Sequence, residues 1–268
     1  MYFTSQDFIT DYGIFYTNVN GDQINSVGKI NANGYANIDG FYKSSTLDAL
    51  FFAADDGTNG KELWMLKNNQ LTLVKDLVSG NGNGNPENFI DFNGEVYFMS
   101  TIISGNAFNR TYKKVLWKTD GTTNGTVLLH EFDFLSVNIN PYFTVYKNKL
   151  YFSAYDSSLS GSFLWATDGT INGTAVQNIA ANNPQNFFVH GDNMFFAGEN
   201  FAEGRELWKY DGTNATLLRS FVAGASKWIS TVFIILIKLL MGIIIFLFLK
   251  MVITHYGVLM AQIQVLLS

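Results

Sequence analysis

The sequence predicts an all-β protein, a β-propeller built from four-stranded antiparallel blades and incomplete at both ends. Two observations carry this prediction. A Leu-Trp motif recurs with its tryptophans 53, 48 and 43 residues apart, a spacing that suits one propeller blade, and the segments between the copies divide into short strands. The composition agrees, because 24 Phe and 13 Tyr against 3 Pro favour strands.

The motif extends on both sides of each tryptophan. Its four copies read KELWML at residues 61–66, KVLWKTDGTTNGT at 114–126, SFLWATDGTINGT at 162–174 and RELWKYDGT at 205–213. The copies predict approximate units at residues 1–31 (partial), 32–80, 86–133, 141–180 and 185–222, which together form a propeller domain over 1–222.

The clearest unit predicts four strands, at residues 88–92, 95–100, 114–119 and 126–131. Asn93-Gly94 lies between the first two strands and Asp120-Gly121 between the last two. Both dipeptides favour the positive φ angles of tight hairpin turns, so the strands should be antiparallel neighbours. The same layout recurs at 142–179 and 186–221, an earlier copy runs from 40 to 77, and residues 12–30 indicate the outer half of another.

Such sheets are too small to stand alone, because their apolar faces need neighbouring sheets. The tryptophan on each third strand is the predicted anchor between adjacent sheets. The predicted structural repeat anchors are Trp64, Trp117, Trp165 and Trp208, with the turn residues Asp120, Gly121, Asp168, Gly169, Asp211 and Gly212.

These segments resemble the ELWxTDGTxxGT repeats of secreted or surface-attached bacterial proteins. The resemblance covers roughly residues 1–222 and implies propeller-like blades and an extracellular or cell-surface location for the intact parent protein. Two copies depart from the pattern: Trp64 is not followed by DGT, and the second GT is absent after Trp208. The resemblance therefore supports the fold more than any activity.

The acidic residues near the repeats favour structural roles. Asp55, Asp56, Asp120, Asp168 and Asp211 lie at or next to an Asp-Gly turn, where an Asp side chain binds its own backbone. One carboxylate per motif is too few for a calcium site, so no metal ligand is predicted. Glu62 and Glu206 are predicted to face solvent, since Val115 and Phe163 fill the same slot in the other copies.

No catalytic residue and no cofactor is predicted either. His130, His190 and His255 show no paired spacing, and no nucleophile elbow is present. The Gly-rich run at 79–85 lacks the Lys-Ser/Thr ending of a phosphate loop and is predicted to be a flexible connection between blades. The Asn-x-Thr triplets at Asn109, Asn124, Asn172 and Asn214 largely follow from the repeat itself.

Charge and cysteine content limit the partners. A net charge of -5 argues against nucleic acid, and the absence of Cys excludes disulfides and thiolate metal sites in this chain. Residues 1–16 show no secretory signal, and strand-like sequence begins at Met1, which suggests that the true start is missing.

Residues 223–268 form a hydrophobic tail with two interpretations. Residues 232–249 contain one charge, Lys238, so the tail reads as a single transmembrane helix at about 229–253, through which alone the chain would meet a membrane. The alternative is a frameshift near residues 224–232, from a pseudogene or a sequencing error. In the shifted frame, each new codon takes the third base of one codon and the first two bases of the next. This frame permits the sequence LWRTDGTNTGT near residues 255–268. Its tryptophan falls at the position of Gly257, 49 residues after Trp208.

The leading functional prediction is a non-catalytic scaffold, surface-exposed or secreted, that binds a protein or glycan partner through its blade loops. One alternative is a membrane-anchored propeller that uses the tail. The second alternative is a propeller enzyme with a site in the central funnel. Unlike polar residues around the axis would favour an enzyme, whereas equivalent residues in every blade would favour a scaffold.

Overall fold

A computed structural model describes residues 12–17, 20, 23–32, 34–105, 109–133, 141–200 and 204–219, and assigns backbone strand to residues 2–6, 233–238, 244–253 and 259–267. Side chains are described for most residues between 12 and 219 in these ranges, and for none of residues 2–6, 233–238, 244–253 and 259–267.

The strands form separate antiparallel sheets that follow one another along the chain. Sheet 1 contains β1 (Tyr2–Gln6), β2 (Tyr12–Thr17) and β3 (Ile24–Gly28). Sheet 2 contains β4 (Asp39–Ser44), β5 (Ala49–Asp55), β6 (Lys61–Lys67) and β7 (Gln70–Lys75). Sheet 3 contains β8 (Pro86–Phe92), β9 (Glu95–Ser104), β10 (Thr111–Thr119) and β11 (Val127–Asp133).

Two further four-stranded sheets complete the region of known side chains. Sheet 4 contains β12 (Thr144–Tyr146), β13 (Lys149–Asp156), β14 (Gly161–Thr167) and β15 (Ala175–Val176). Sheet 5 contains β16 (Asn182–His190), β17 (Asn193–Asn200), β18 (Gly204–Tyr210) and β19 (Ala215–Arg219). The backbone assignments in the tail are β20 (Phe233–Lys238), β21 (Ile244–Ile253) and β22 (Leu259–Leu267).

The protein is therefore all-β, with several four-stranded antiparallel sheets and no helix in the described part of the chain. In each of sheets 2 to 5 the strands are hydrogen-bonded in chain order, as expected for up-and-down blades. The strands predicted for sheet 3 agree with the observed bounds to within a few residues.

Both predicted pairs of antiparallel neighbours are confirmed, but only the first pair is joined by a tight turn. Asn93 and Gly94 have φ angles of 48° and 83°, so the first pair of strands in sheet 3 is joined by a tight turn. In the second pair only Gly121 has a positive φ, 90°, and the connection continues to Val127. Asp120-Gly121 thus begins a longer loop that side chains must close.

A bulge marks the tryptophan of the repeat. The pairing between third and fourth strands shifts register at Leu63/Trp64, Leu116/Trp117 and Leu207/Trp208. Sheet 1 has the same shift at Ile14/Phe15, which identifies Phe15 as the residue in the tryptophan slot. Sheet 1 therefore shares this register shift with sheets 2, 3 and 5.

The chain divides into two compact units, Met1–Asn140 with Tyr155–Ser160 and Thr167–Ala175, and Pro141–Ala154 with Gly161–Ala166 and Val176–Ser268. Within the first unit, sheets 2 and 3 pack face to face. The core between them contains Ala49, Phe51, Leu63, Val74, Leu77, Val96, Phe98, Val115 and Trp117.

Trp117 lies in this core, 6% exposed, with its ring stacked 6.3 Å from Phe98 and its Nε1 donating to Ser100 Oγ at 2.9 Å. Trp64 packs, half-buried, against the core of Ile14, Leu50, Phe52, Ala54 and Leu66. In the second unit, Trp208 is 3% exposed within a core drawn from sheets 4 and 5. Trp165 is 5% exposed.

The helix predicted at about 229–253 lies outside the residues whose side chains are described, and it stays a prediction, as does the frameshift. His255 lies in the same region. Within the described part of the chain, the structure contains no helix long and apolar enough to cross a bilayer.

Candidate functional site

The TDGTxxGT loop after β10 is closed by its own side chains. Asp120 Oδ1 accepts hydrogen bonds from Thr122 N at 2.9 Å and from Thr122 Oγ1 at 2.7 Å. Thr122 Oγ1 in turn accepts from Gly125 N at 2.9 Å. The bonds from Thr122 hold the pKa of Asp120 below its usual range. A Cβ on Gly125 would overlap the Asp120 carboxylate, so any other residue here would displace that carboxylate from its bonds with Thr122.

A pair of threonines joins the two ends of the loop. Thr119 Oγ1 lies 2.7 Å from Thr126 Oγ1, and the Thr126 hydroxyl donates to Thr122 O at 2.6 Å. Since each hydroxyl has one proton, Thr119 is the donor in the pair, and its oxygen also accepts from Gly121 N at 3.0 Å. Every repeated residue of TDGTxxGT therefore has a role inside the loop.

The copy after β14 reproduces this network. Asp168 Oδ1 accepts from Thr170 N at 2.9 Å and from Thr170 Oγ1 at 2.7 Å, and Thr170 Oγ1 accepts from Gly173 N at 2.9 Å. The threonine pair is Thr167 and Thr174, 2.8 Å apart. Gly169 has a φ of 96°, and a Cβ there would also overlap the buried Tyr97 hydroxyl.

The irregular copies use shorter connections. After β18, Tyr210 stands where the other copies have the first threonine, and Asp211 Oδ1 accepts from Thr213 N and Asn214 N at 2.8 and 2.7 Å. After β6, Asn68 and Asn69, with φ of 51° and 58°, form a two-residue turn. In both irregular copies the first threonine of the motif is missing, and the second GT, whose threonine would pair with it, is missing too.

The remaining aspartates of the repeat also bind backbone. Asp55 accepts from Gly57 N at 2.7 Å, and Asp56 accepts from Thr58 N and Asn59 N at 2.8 Å each. This connection joins β5 to β6, the second and third strands, so its DGT is not the counterpart of Asp120-Gly121-Thr122. All five predicted turn aspartates cap local backbone.

Replacing Asp120 by Ala is expected to lower the free energy of unfolding by about 1–2 kcal/mol, because two donors of Thr122 lose their acceptor. The matched change Asp168→Ala should have an effect of similar size, since its network is the same. Urea unfolding followed by tryptophan fluorescence measures both. An effect below a few tenths of a kcal/mol in both variants would show that the loops close without the carboxylate.

A buried cation recurs three residues before the tryptophan. Lys114 is 6% exposed, forms an ion pair with Glu87 and donates to Thr101 Oγ1 at 2.6 Å. Thr101 Oγ1 also donates to Glu87 Oε1 at 2.9 Å, which completes the triad. In sheet 2 the corresponding pair is Lys61 with Asp39.

The other two sheets show how this pair varies. In sheet 5, Arg205 takes the cation slot and binds Glu199 at 2.6 Å and Asn183 O at 3.3 Å. In sheet 4 the cation is replaced by Ser162 and the residue in the slot of Glu87 is Pro141, so both charges are absent together. This pair was not predicted from the sequence, although a basic residue precedes three of the four Leu-Trp motifs by two positions.

The prediction that Glu62 and Glu206 face solvent is wrong. They are 0% and 2% exposed. Glu62 accepts hydrogen bonds from Leu77 N at 2.6 Å and from Gly84 N at 2.7 Å. Burial raises the pKa of Glu62 to about 7, the two amides oppose this shift, and the nearby Asp76 reinforces it. The alternation of side chains along a strand could not show that both faces are covered.

Glu62 holds the Gly-rich connection from β7 to β8. Gly84 N and Asn85 N also donate to Lys61 O at 3.0 Å each, and Lys61 N donates to Asn83 Oδ1 at 2.8 Å. A Cβ on Gly84 would lie 2.6 Å from Glu62 Oε2. The run joins two sheets as predicted, but its glycines allow close approach to β6 rather than a free loop.

Glu62 makes stability depend on pH. Its pKa in the folded chain, about 7, lies above the ordinary value of 4.5, so the folded state holds an extra proton between these values. The free energy of unfolding is therefore expected to fall by on the order of 2 kcal/mol as the pH rises from 4.5 to 7. Urea titrations across this range measure the slope. An equally steep slope in Glu62→Gln would contradict the assignment.

The histidines within the described residues lie against aromatic rings. The ring of His130 is 4.6 Å from that of Phe132, and burial lowers its pKa. The ring of His190 stacks 6.3 Å from that of Phe188. Within the described residues no group of three or more His, Asp or Glu side chains could hold a metal ion.

Lysines from one sheet hold the loops of the next. Lys75 Nζ of sheet 2 donates to Thr126 O at 2.9 Å and lies 6.0 Å from the centre of the Trp117 ring. In the second unit, Lys147 Nζ of sheet 4 donates to Asp211 O at 2.5 Å. These contacts fix the loops that follow β10 and β18.

No protein family and no curated protein matches the sequence of this chain. Solved structures do match its fold. A puromycin hydrolase mutant complexed with PGG is 10% identical over 90% of this chain, with a TM-score of 0.50, and AtxE2 isopeptidase in its apo form is 10% identical over 90%, with a TM-score of 0.29. The chain spans 38% and 52% of their respective lengths. The hydrolase structure is β-propeller-like, and the likeness to it concerns the fold alone.

Proposed function

We propose that this chain is part of a β-propeller that acts as a non-catalytic scaffold, surface-exposed or secreted, and binds a protein or glycan partner through the loops joining third and fourth strands. The observation that carries the proposal is that TDGTxxGT contains two kinds of residue, those that close the loop by hydrogen bonds and those that are exposed to solvent. The Thr, Asp and Gly residues of the motif close the loop, and the two positions between its second Thr and second Gly are exposed. The first of these positions differs between the two copies, and the second is Asn in both.

Those two positions are Thr123-Asn124 in sheet 3 and Ile171-Asn172 in sheet 4. All four side chains are exposed, and Ile171 is 61% exposed. Around them the bonds of Asp120 and Asp168 hold backbones with nearly identical distances. A rigid frame that presents exposed side chains, one of which differs between the copies, lowers the ordering cost of binding.

The ion pairs formed by the cations of the third strands support the same proposal. In sheets 2, 3 and 5 the cation before the Leu-Trp motif is matched by an acidic residue of its own sheet, which lies on β4, β8 and β17 respectively. An active site requires unlike groups that converge on a reacting atom. Repeated and internally satisfied pairs are instead typical of a repeat architecture.

The proposal is tested by a screen that records both binding and turnover. The full chain is applied to glycan and peptide arrays, and each bound compound is then incubated with the chain in solution and recovered. We expect ligands that bind and are recovered unchanged. Chemical conversion of a bound ligand would contradict the non-catalytic proposal and favour a propeller enzyme.

A second comparison locates the binding face. Ile171→Asp should weaken binding of the recovered ligand by about tenfold, since a desolvated charge replaces an apolar contact, while the melting temperature is unchanged. Val189→Asp, at an exposed position on β16 outside these loops, is the matched control. Equal effects of the two changes would exclude the loops as the binding face.

A further inference from the structure

The connection between sheets 2 and 3 contains an Asn-Gly pair with unusual hydrogen bonds. Gly84 N donates to Glu62 Oε1 at 2.7 Å, so a buried carboxylate lies on the amide proton of the glycine. The side-chain oxygen of the preceding residue, Asn83 Oδ1, accepts from Lys61 N at 2.8 Å. Asn83 is exposed while Gly84 is buried.

These two contacts match the requirements of one reaction. When an asparagine cyclises, the amide nitrogen of the next residue attacks the side-chain carbonyl carbon and loses its proton. A base on that amide and a hydrogen-bond donor on the carbonyl oxygen both stabilise the transition state. Glycine in the second position removes the Cβ that would hinder the attack.

We propose that Asn83 is a self-modification site, at which Glu62 acts as the general base that promotes cyclisation of Asn83 onto the nitrogen of Gly84. The new bond joins Gly84 N to Asn83 Cγ, and the Gly84 proton passes to Glu62. The bond from Cγ to the side-chain nitrogen breaks, and that nitrogen leaves as ammonia with the proton from Glu62. Water then opens the succinimide to aspartate or isoaspartate.

The other Asn-Gly pairs lack this arrangement. Gly125 N and Gly173 N, which follow Asn124 and Asn172, donate to threonine hydroxyls, which are far weaker bases. Among the described residues, a carboxylate accepts from the glycine amide of an Asn-Gly pair at Gly84 and at no other. Asn93-Gly94, in the tight turn between β8 and β9, therefore serves as an internal reference.

The charged groups around Glu62 set the pH at which it acts. Asp76, at the end of β7, raises its pKa, and on β6 the adjacent Lys61 is neutralised by Asp39 of β4. Because burial raises the pKa of Glu62 to about 7, its basic form predominates above that pH. The rate at Asn83 is expected to rise up to about pH 7 and to flatten above it, unlike the rate at Asn93.

The test follows the conversion of the full-length chain over time by peptide mass spectrometry, as a gain of about 1 Da at each Asn-Gly pair. In the folded chain Asn83 should convert at least about tenfold faster than Asn93. This threshold is cautious, because general-base catalysis ordinarily accelerates a reaction by about a hundredfold or more. In concentrated urea the two rates should become similar. A ratio below tenfold in the folded chain, or faster conversion of Asn83 in urea, would overturn the proposal.

Variants supply the second arm. Glu62→Gln should reduce the rate at Asn83 at least about tenfold and abolish the bend near pH 7, because the amide accepts a hydrogen bond but not the proton. Glu131→Gln, at a half-exposed carboxylate on β11 that pairs with Lys113, is the matched control and should leave the rate unchanged. An unchanged rate in Glu62→Gln overturns the proposal. If that variant fails to fold, the comparison with urea in the unaltered chain decides.

Discussion

Trp117→Ala is expected to lower the free energy of unfolding by about 3–5 kcal/mol, the largest effect of any single change considered for this chain. The indole is 6% exposed and lies in the core shared by sheets 2 and 3. Its removal leaves a cavity between two sheets that cannot collapse freely, because Phe98 and Ser100 contact it from the adjacent strand.

Urea unfolding followed by far-UV circular dichroism measures this effect. Ile103→Ala, on β9 of the same sheet but 43% exposed, is the matched control and should change stability by less than about 1 kcal/mol. If the two changes had equal effects, the tryptophan would not be the anchor that its recurrence predicts.

Glu87→Ala is expected to destabilise the chain by about 3 kcal/mol, because it leaves Lys114 charged and without its carboxylate. The side chain of Lys114 is only 7% exposed, whereas that of Glu87 is 43% exposed. Removal of Glu87 therefore leaves a buried charge, whereas removal of Lys114 leaves a charge that is exposed to water. Lys114→Met leaves a carboxylate that water can reach, and it should lower stability by less than about 1 kcal/mol.

Thermal and urea unfolding of both single variants, together with the double variant, measure this asymmetry. The double variant should be more stable than Glu87→Ala alone, since it removes the stranded charge. Equal losses in the two single variants would mean that the pair is screened by solvent at both ends.

The strands were predictable because their signals are local. Alternating aromatic and β-branched residues, with Asn93-Gly94 between them, define β8 and β9 without reference to anything distant. The repeat adds the correct number of strands per sheet. The observed bounds differ chiefly at the ends, where β10 extends back to Thr111 and β15 shortens to Ala175–Val176.

The loop after β10 was not predictable from Asp120-Gly121 alone. That dipeptide is compatible with a two-residue turn, but the bond between Thr119 and Thr126 closes a longer loop instead. The signal was present in the sequence as the second GT of the repeat. In the copy after β18, Tyr210 replaces the first threonine and the second GT is absent. This joint loss indicates that the two threonines pair with each other.

The buried polar groups were not predictable because their partners are distant in sequence. Glu62 binds the amides of Leu77 and Gly84, and Lys114 binds Glu87, in each case more than a dozen residues away. Nothing in a strand's alternation shows which slot meets such a partner. In sheet 4, Ser162 replaces the cation and Pro141 replaces its acidic partner. An alignment of the repeats shows that both charges are lost in the same copy, which indicates that they pair.

The central claim is that each sheet depends on its neighbours to cover its apolar faces. The most direct test is circular dichroism and thermal melting of residues 86–133, the complete sheet 3, as an isolated peptide beside the full chain. We expect no cooperative transition from the peptide and a cooperative one from the chain. A peptide that melted cooperatively as a folded sheet would contradict the claim.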